Sequence, residues 1–152
     1  MIKYKKFQFG WVIVIMLFII IIWMTFAFIH HWGNNPIDKH GYILFLIIFG
    51  GILLVFYGMT VIVTDKQLKI KLGSGFYTKK IDLTSIKSVT VLKYPAYYGY
   101  GIRSVPNGLL YNVSGKHAIE IKLKNEKKVI QIGTSDWDNL KAAIETSIIS
   151  PA

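Results

Sequence analysis

Residues 41–72, GYILFLIIFGGILLVFYGMTVIVTDKQLKIKL, decide the fold. The stretch is uncharged as far as Val63, and Gly41–Tyr57 has the length and apolarity of a membrane-crossing helix. Then the period changes. Thr60–Thr64 is rich in β-branched residues and reads as a strand, and Asp65-Lys66-Gln67 is a turn. Leu68-Lys69-Ile70-Lys71-Leu72 alternates apolar residues with lysine, the mark of a half-buried strand. A helix therefore passes into a sheet with only Gly58-Met59 between them. The chain divides into 1–57, a cytoplasmic stub with a two-helix transmembrane hairpin, and 58–152, a small cytoplasmic β-domain.

Upstream, Gly10–Ile29 is a second uncharged run of twenty residues. At 1.5 Å per residue such a run spans about 30 Å, the hydrocarbon thickness of a bilayer. Lys3, Lys5 and Lys6 precede it like the basic start of a signal peptide. The run exceeds the roughly 7–15 apolar residues of a signal sequence, and no small-x-small cleavage site follows. It reads as a retained anchor, bracketed by Trp11 and Trp32 at headgroup depth. The spans are about 10–30 and 41–57, joined by His30–His40 with its Gly33, Asn34, Asn35 and Pro36. Gly50-Gly51 is the expected point of close packing between them. Three lysines precede the hairpin, one (Lys39) lies in the connector, and fourteen cations follow. That asymmetry places both termini on the cytoplasmic side.

Composition agrees. Of 152 residues, 53% are hydrophobic and 17% charged, with a mean hydropathy of +0.43. Soluble domains carry about 25% charged residues. The absence of cysteine excludes disulfides, thiolate metal sites and cysteine nucleophiles. The net charge of +10 suits an anionic lipid surface or nucleic acid. No helix-turn-helix or RNP signal supports nucleic acid.

Downstream, Thr78–Leu83, Lys87–Lys93, Leu110–Val113, His117–Lys124 and Val129–Gly133 read as further strands. Tyr94–Leu109, holding Pro95 and Pro106, reads as irregular. Thr134 or Ser135 can cap a terminal helix whose apolar stripe is Trp137, Leu140, Ile144 and Ile148. The expected fold is a membrane α-helical hairpin followed by a mainly-β domain. That domain would be a partly open antiparallel barrel of about seven strands, capped by a C-terminal amphipathic helix.

Seven strands and a helix is the pleckstrin-homology (PH) order. The run Tyr97-Tyr98-Gly99-Tyr100-Gly101-Ile102-Arg103, with Gly108, Leu110-Tyr111-Asn112-Val113-Ser114-Gly115 and Ala118-Ile119-Glu120-Ile121, resembles the bacterial PH-like membrane proteins. So does Ile132-Gly133-Thr134-Ser135-Asp136. Those proteins also carry two N-terminal transmembrane helices. The resemblance implies a PH-like fold in a bacterial cytoplasmic membrane, and no activity. It carries no phosphoinositide site, because the loop Asp65-Lys66-Gln67 lacks the Lys…Arg-x-Arg pattern.

Tyr94–Gly115 is the candidate site, since long loops of this composition are usually functional. Arg103 is the only arginine beside seventeen lysines. A lone guanidinium suits a carboxylate, a phosphate, clustered carbonyls or a tyrosine face. The plainer reading pairs it inside the domain, with Asp82, Glu120 or loop carbonyls. The candidate ligand-binding or partner-binding residues are Tyr97, Tyr98, Tyr100, Arg103 and Asn112. Tyrosines here also serve as cover for one barrel end, Tyr111 especially. Lys3, Lys5, Lys6 and Lys66 are the candidate membrane-surface cations. Other lysines read as solvated strand faces or edge protection.

His30, His31, Asp38 and His40 match no metal-binding spacing, so neither metal nor cofactor is expected. No P-loop, GxSxG or HExxH motif is present, and no enzyme is expected. The expected function is a membrane-anchored binding or scaffold module, presenting the Tyr94–Gly115 loop to a protein partner or an anionic lipid headgroup. The alternative is a structural subunit of a homo-oligomer or a larger membrane complex.

Overall fold

A computed structural model describes residues 1–93, 99–105, 108–115 and 117–149. Two helices, α1 (Trp11–Ile29) and α2 (Lys39–Phe56), are long and apolar enough to cross a membrane. Asp38 starts α2 by accepting a hydrogen bond from the Gly41 N–H at 3.0 Å. The helices meet through Phe28 stacked on Tyr42, and through the Thr25 and Tyr42 hydroxyls 2.9 Å apart. Gly50 and Gly51 do not mark the contact. A Cβ on either would meet nothing within 4 Å, so they lie on open helix surface. The contacts between the helices lie instead at Tyr42 near the connector, while the buried residues of α1 are Ile13, Val14 and Leu17 near its start.

The rest is mainly β, with a C-terminal helix. One sheet holds β1 (Ile2–Phe9), β2 (Gly58–Thr64), β3 (Gln67–Leu72) and β4 (Tyr77–Asp82), in that order and antiparallel. A 3-10 turn, Leu83–Ser85, leads to the second sheet. Its strands are β5 (Ile86–Lys93), β6 (Gly101–Val105), β7 (Gly108–Asn112), β8 (His117–Leu123) and β9 (Val129–Thr134), in the order β5-β8-β9-β7-β6. α3 is Trp137–Ile149.

Four features depart from the expected barrel. Nine strands form rather than about seven among the described residues, and they make two sheets without a closed barrel. β7 runs parallel to β9, with Leu110 opposite Gln131, so the second sheet is mixed. Gly101–Val105, expected to be irregular, pairs with β7 as a hairpin. Residues 2–9, expected to be a stub, form β1 and pair along β2 from Ile2↔Thr64 to Phe9↔Gly58.

The inward face of β1 explains its silence in the sequence. Tyr4, Lys6 and Gln8 lie opposite Val63, Val61 and Met59, yet none is aliphatic. Their partners come from the corner between β9 and α3. The Tyr4 hydroxyl donates to Asp136 at 3.1 Å, the Lys6 ammonium is 3.6 Å from the same carboxylate, and Gln8 Nε2 donates to the Gly133 carbonyl at 3.3 Å. Burial pulls the Asp136 carboxyl upward. Hydrogen bonds from Asn139 and Tyr4 and the Lys6 charge outweigh it, and its pKa ends below the ordinary value. A lowered carboxyl pKa stabilises the fold above the unfolded pKa, and that stabilisation fades as pH falls through the folded pKa. Tyr4→Phe is therefore expected to cost about 1 kcal/mol at neutral pH. The gap from wild type should close below the carboxylate range; denaturant melts along a pH series measure it, and a pH-independent gap would count against the Asp136 bond.

The core lies between the sheets. Met59, Val61 and Ile70 from one sheet face Ile119, Ile121 and Ile132 from the other, all fully buried. α3 packs across β5 and reaches β1, β2 and β8. Leu140 and Ile144 fill its inner face as the stripe foretold, but the third buried position is Ser147, while Ile148 is 37% exposed. The Ser147 hydroxyl donates to the Ala143 carbonyl at 2.7 Å and so needs no other partner.

Candidate functional site

β1 runs into α1 and β2 runs out of α2, so one end of the β unit abuts the hairpin. The Gly10 N–H donates to the Tyr57 carbonyl at 2.8 Å and joins the two crossings. Three connections share that end. The β3–β4 turn is there because Met59 pairs with Leu72 and the Gly73 N–H donates to the Gly58 carbonyl at 2.7 Å. The start of β6 is there because a Cβ on Gly101 would lie 3.6 Å from the Phe56 ring. The end of β7 is there because a Cβ on Gly10 would lie 3.5 Å from Val113 Cβ.

Three of the expected site residues converge at this rim. Arg103 Nε donates to the Tyr100 carbonyl at 3.2 Å, folding the exposed side chain back toward the start of β6. Its guanidinium packs over Gly99, whose φ of +70° suits glycine. Asn112 is 1% exposed and its Nδ2 donates to the Gly99 carbonyl at 3.1 Å. Asn112 and Arg103 thus hold Gly99 and Tyr100 from two sides. Of the interior pairings weighed for Arg103, the loop carbonyl is the one present. Among the described residues, no ion pair engages Arg103. Tyr97 and Tyr98 lie outside the described residues.

The lysines distribute differently. Lys3 and the N-terminal ammonium both pair with Asp65, beside Lys66 in the β2–β3 turn. The ammonium's hydrogen bond holds the Asp65 carboxyl below its ordinary pKa. This end is opposite the hairpin: Ile2 pairs with Thr64, whereas Phe9 pairs with Gly58. At about 3.3 Å per residue, seven residues separate Lys3 from Gly10 by about 23 Å, beyond a Debye length of about 8 Å. Lys5 lies mid-strand opposite Ile62, and Lys6 is engaged with Asp136. A hollow of about 400 Å³ at this far end is lined by Met1, Asp65 and Lys66, but its carboxylate is already paired.

Other rim residues carry no motif. Phe9 packs on Trp11 with ring centres 4.6 Å apart, and Phe7 and Tyr57 extend the cluster. An apolar groove of about 320 Å³ opens beside it, lined by Phe9, Val14, Phe18, Leu53, Leu54 and Tyr57. Tyr111, fully buried, places its hydroxyl 3.0 Å from that of Tyr77 and ties β7 to β4. Burial, and then Tyr77, push the Tyr111 pKa up. The only available sequence signal was the density of aromatics beside the apolar runs.

In the connector, Asp38 is occupied in capping α2 and lies 3.5 Å from His40 Nδ1. Among the described residues, no three acidic or imidazole side chains gather as a metal site. Comparison with family models, characterised proteins and solved structures returns no match for the chain.

Proposed function

We propose that the chain is a membrane-anchored binding module, PH-like in its β unit, whose ligand rim is its hairpin-facing end. The observation that carries this reading is the seamless passage of β1 into α1 and of α2 into β2, closed by the Gly10–Tyr57 hydrogen bond. With the hairpin in a bilayer, that passage leaves the rim no linker on which to move away. Gly99–Arg103 and Asn112–Gly115 then stand at the headgroup layer. The ligand favoured there is an anionic lipid headgroup, because exposed Arg103 carries a planar, five-donor fork suited to a phosphate. The lysine asymmetry around the hairpin supports cytoplasmic termini, and the YGYGIR and LYNVSG runs support the PH-like and bacterial assignment.

In-membrane photocrosslinking from Tyr100 and Ile102, read by mass spectrometry, tests this. Anionic-lipid adducts are expected, falling several-fold in Arg103→Gln and at high salt. Adducts confined to one other protein would make the rim a protein-docking site and overturn the lipid assignment. Adducts between copies of the chain would favour an assembly subunit, a reading that the open surface at Gly50 and Gly51 supports.

A further inference from the structure

Leu72-Gly73-Ser74-Gly75-Phe76-Tyr77 joins β3 to β4 without a charge. Phe76 is 76% exposed at its tip. Single exposed apolar residues are ordinary on soluble surfaces; the location of this one is not. Gly73 is pressed against the last turn of α2: a Cβ there would lie 2.2 Å from the Leu54 carbonyl oxygen and 2.7 Å from that of Val55. Its φ of +56°, and +104° at Gly75, are backbone states that glycine adopts most readily. The turn is thus fixed beside the end of α2. At the same level stand Trp11, 65% exposed, and Phe7, 48% exposed, continuous with the apolar surface of the hairpin. Aromatic residues concentrate at this depth in membrane proteins because their rings suit the boundary between headgroups and acyl chains.

We propose that Phe76 is a third membrane contact. Its ring enters the interfacial layer of the leaflet from which the hairpin emerges, fixing the tilt of the β unit and so the height of the Arg103 rim. The contact rests on the membrane-anchored reading above. Being apolar and uncharged, it is independent of salt, unlike binding through Arg103.

The cysteine-free sequence makes the test direct. The full chain, carrying Phe76→Cys labelled with an environment-sensitive fluorophore, is reconstituted in phosphatidylcholine vesicles doped with a shallow nitroxide lipid. Trp11→Cys and Ile19→Cys report the hairpin, and Lys66→Cys the far end. Quenching at position 76 is expected to match that at position 11, to exceed that at position 66 several-fold, and to persist in high salt. Quenching at 76 no greater than at 66, with 11 and 19 quenched, overturns the proposal and leaves the anchor standing. Absence of quenching at 11 and 19 overturns the anchor, and the proposal with it.

Discussion

Leu140→Ala is expected to destabilise the β unit by about 2–5 kcal/mol. Leu140 is fully buried where α3 lies across β5. Truncation removes its transfer free energy and leaves a cavity that the two sheets cannot collapse to fill. Ile148→Ala, at a 37% exposed position of the same helix, should cost well under about 1 kcal/mol. Denaturant melts in mild detergent compare them: the first midpoint falls steeply and the second hardly moves. Equal losses would mean that α3 docks in a different rotational phase, with Ile148 inward.

The second large effect belongs to Gly108→Val. A Cβ at Gly108 would lie 1.8 Å from the Val129 carbonyl oxygen and 2.7 Å from its carbonyl carbon, both backbone atoms. These residues are opposite partners where β7 and β9 run parallel. Neither strand can yield without losing ladder hydrogen bonds, and overpacking of this severity costs about 3 kcal/mol. Gly33→Ala is the comparison. It has a positive φ of 96° but open space, so it carries only backbone strain of about 1–2 kcal/mol, in the connector. Hydrogen exchange at the Leu110 and Tyr111 amides should accelerate in Gly108→Val alone. Protection at wild-type level would place β7 elsewhere than along β9.

These two positions mark the limits of what the chain discloses by itself. α3 was legible because its apolar residues recur at helical spacing, and only its last turn rotated away from expectation. Seven strands were legible through alternation, clearest in Leu68–Leu72 and His117–Lys124, and through β-branched runs such as Thr60–Thr64. The pairing of β7 with β9 was not, since alternation tells which side faces the core and nothing about which strand lies alongside. β6 was hidden because Gly101-Ile102-Arg103-Ser104-Val105 has no clean alternation. β1 was hidden more deeply. Lys3, Lys5 and Lys6 read as a topological charge signal, and the inward residues Tyr4, Lys6 and Gln8 find their partners at Gly133 and Asp136, far along the chain.

Of the candidate residues, the structure brings Tyr100, Arg103 and Asn112 together. Arg103 drew notice by being the only arginine, and it does lie at the rim, where its Nε holds the Tyr100 carbonyl. Asn112 belongs to the same knot. Lys3 and Lys66 stood out as cations near membrane helices in sequence, but strand length carries them to the opposite end. Phe76 gave no signal, since an aromatic after Gly-Ser-Gly acquires meaning only when α2 is seen beside it.

The hairpin interrupts a sheet between two neighbouring strands, and this bears on how the protein is made. β1 leaves the ribosome first, yet its hydrogen-bonding partner is synthesised only after both helices. Until then β1 can only wait. If the hairpin crosses a bilayer, pairing of Phe9 with Gly58 requires both of its ends to be on the same side. A chain halted after one crossing would strand β1 on the wrong side, leaving the edge of β2 bare and Asp136 without Tyr4 and Lys6. Closure of the first sheet would then depend on the course of the hairpin as well as on the strands themselves.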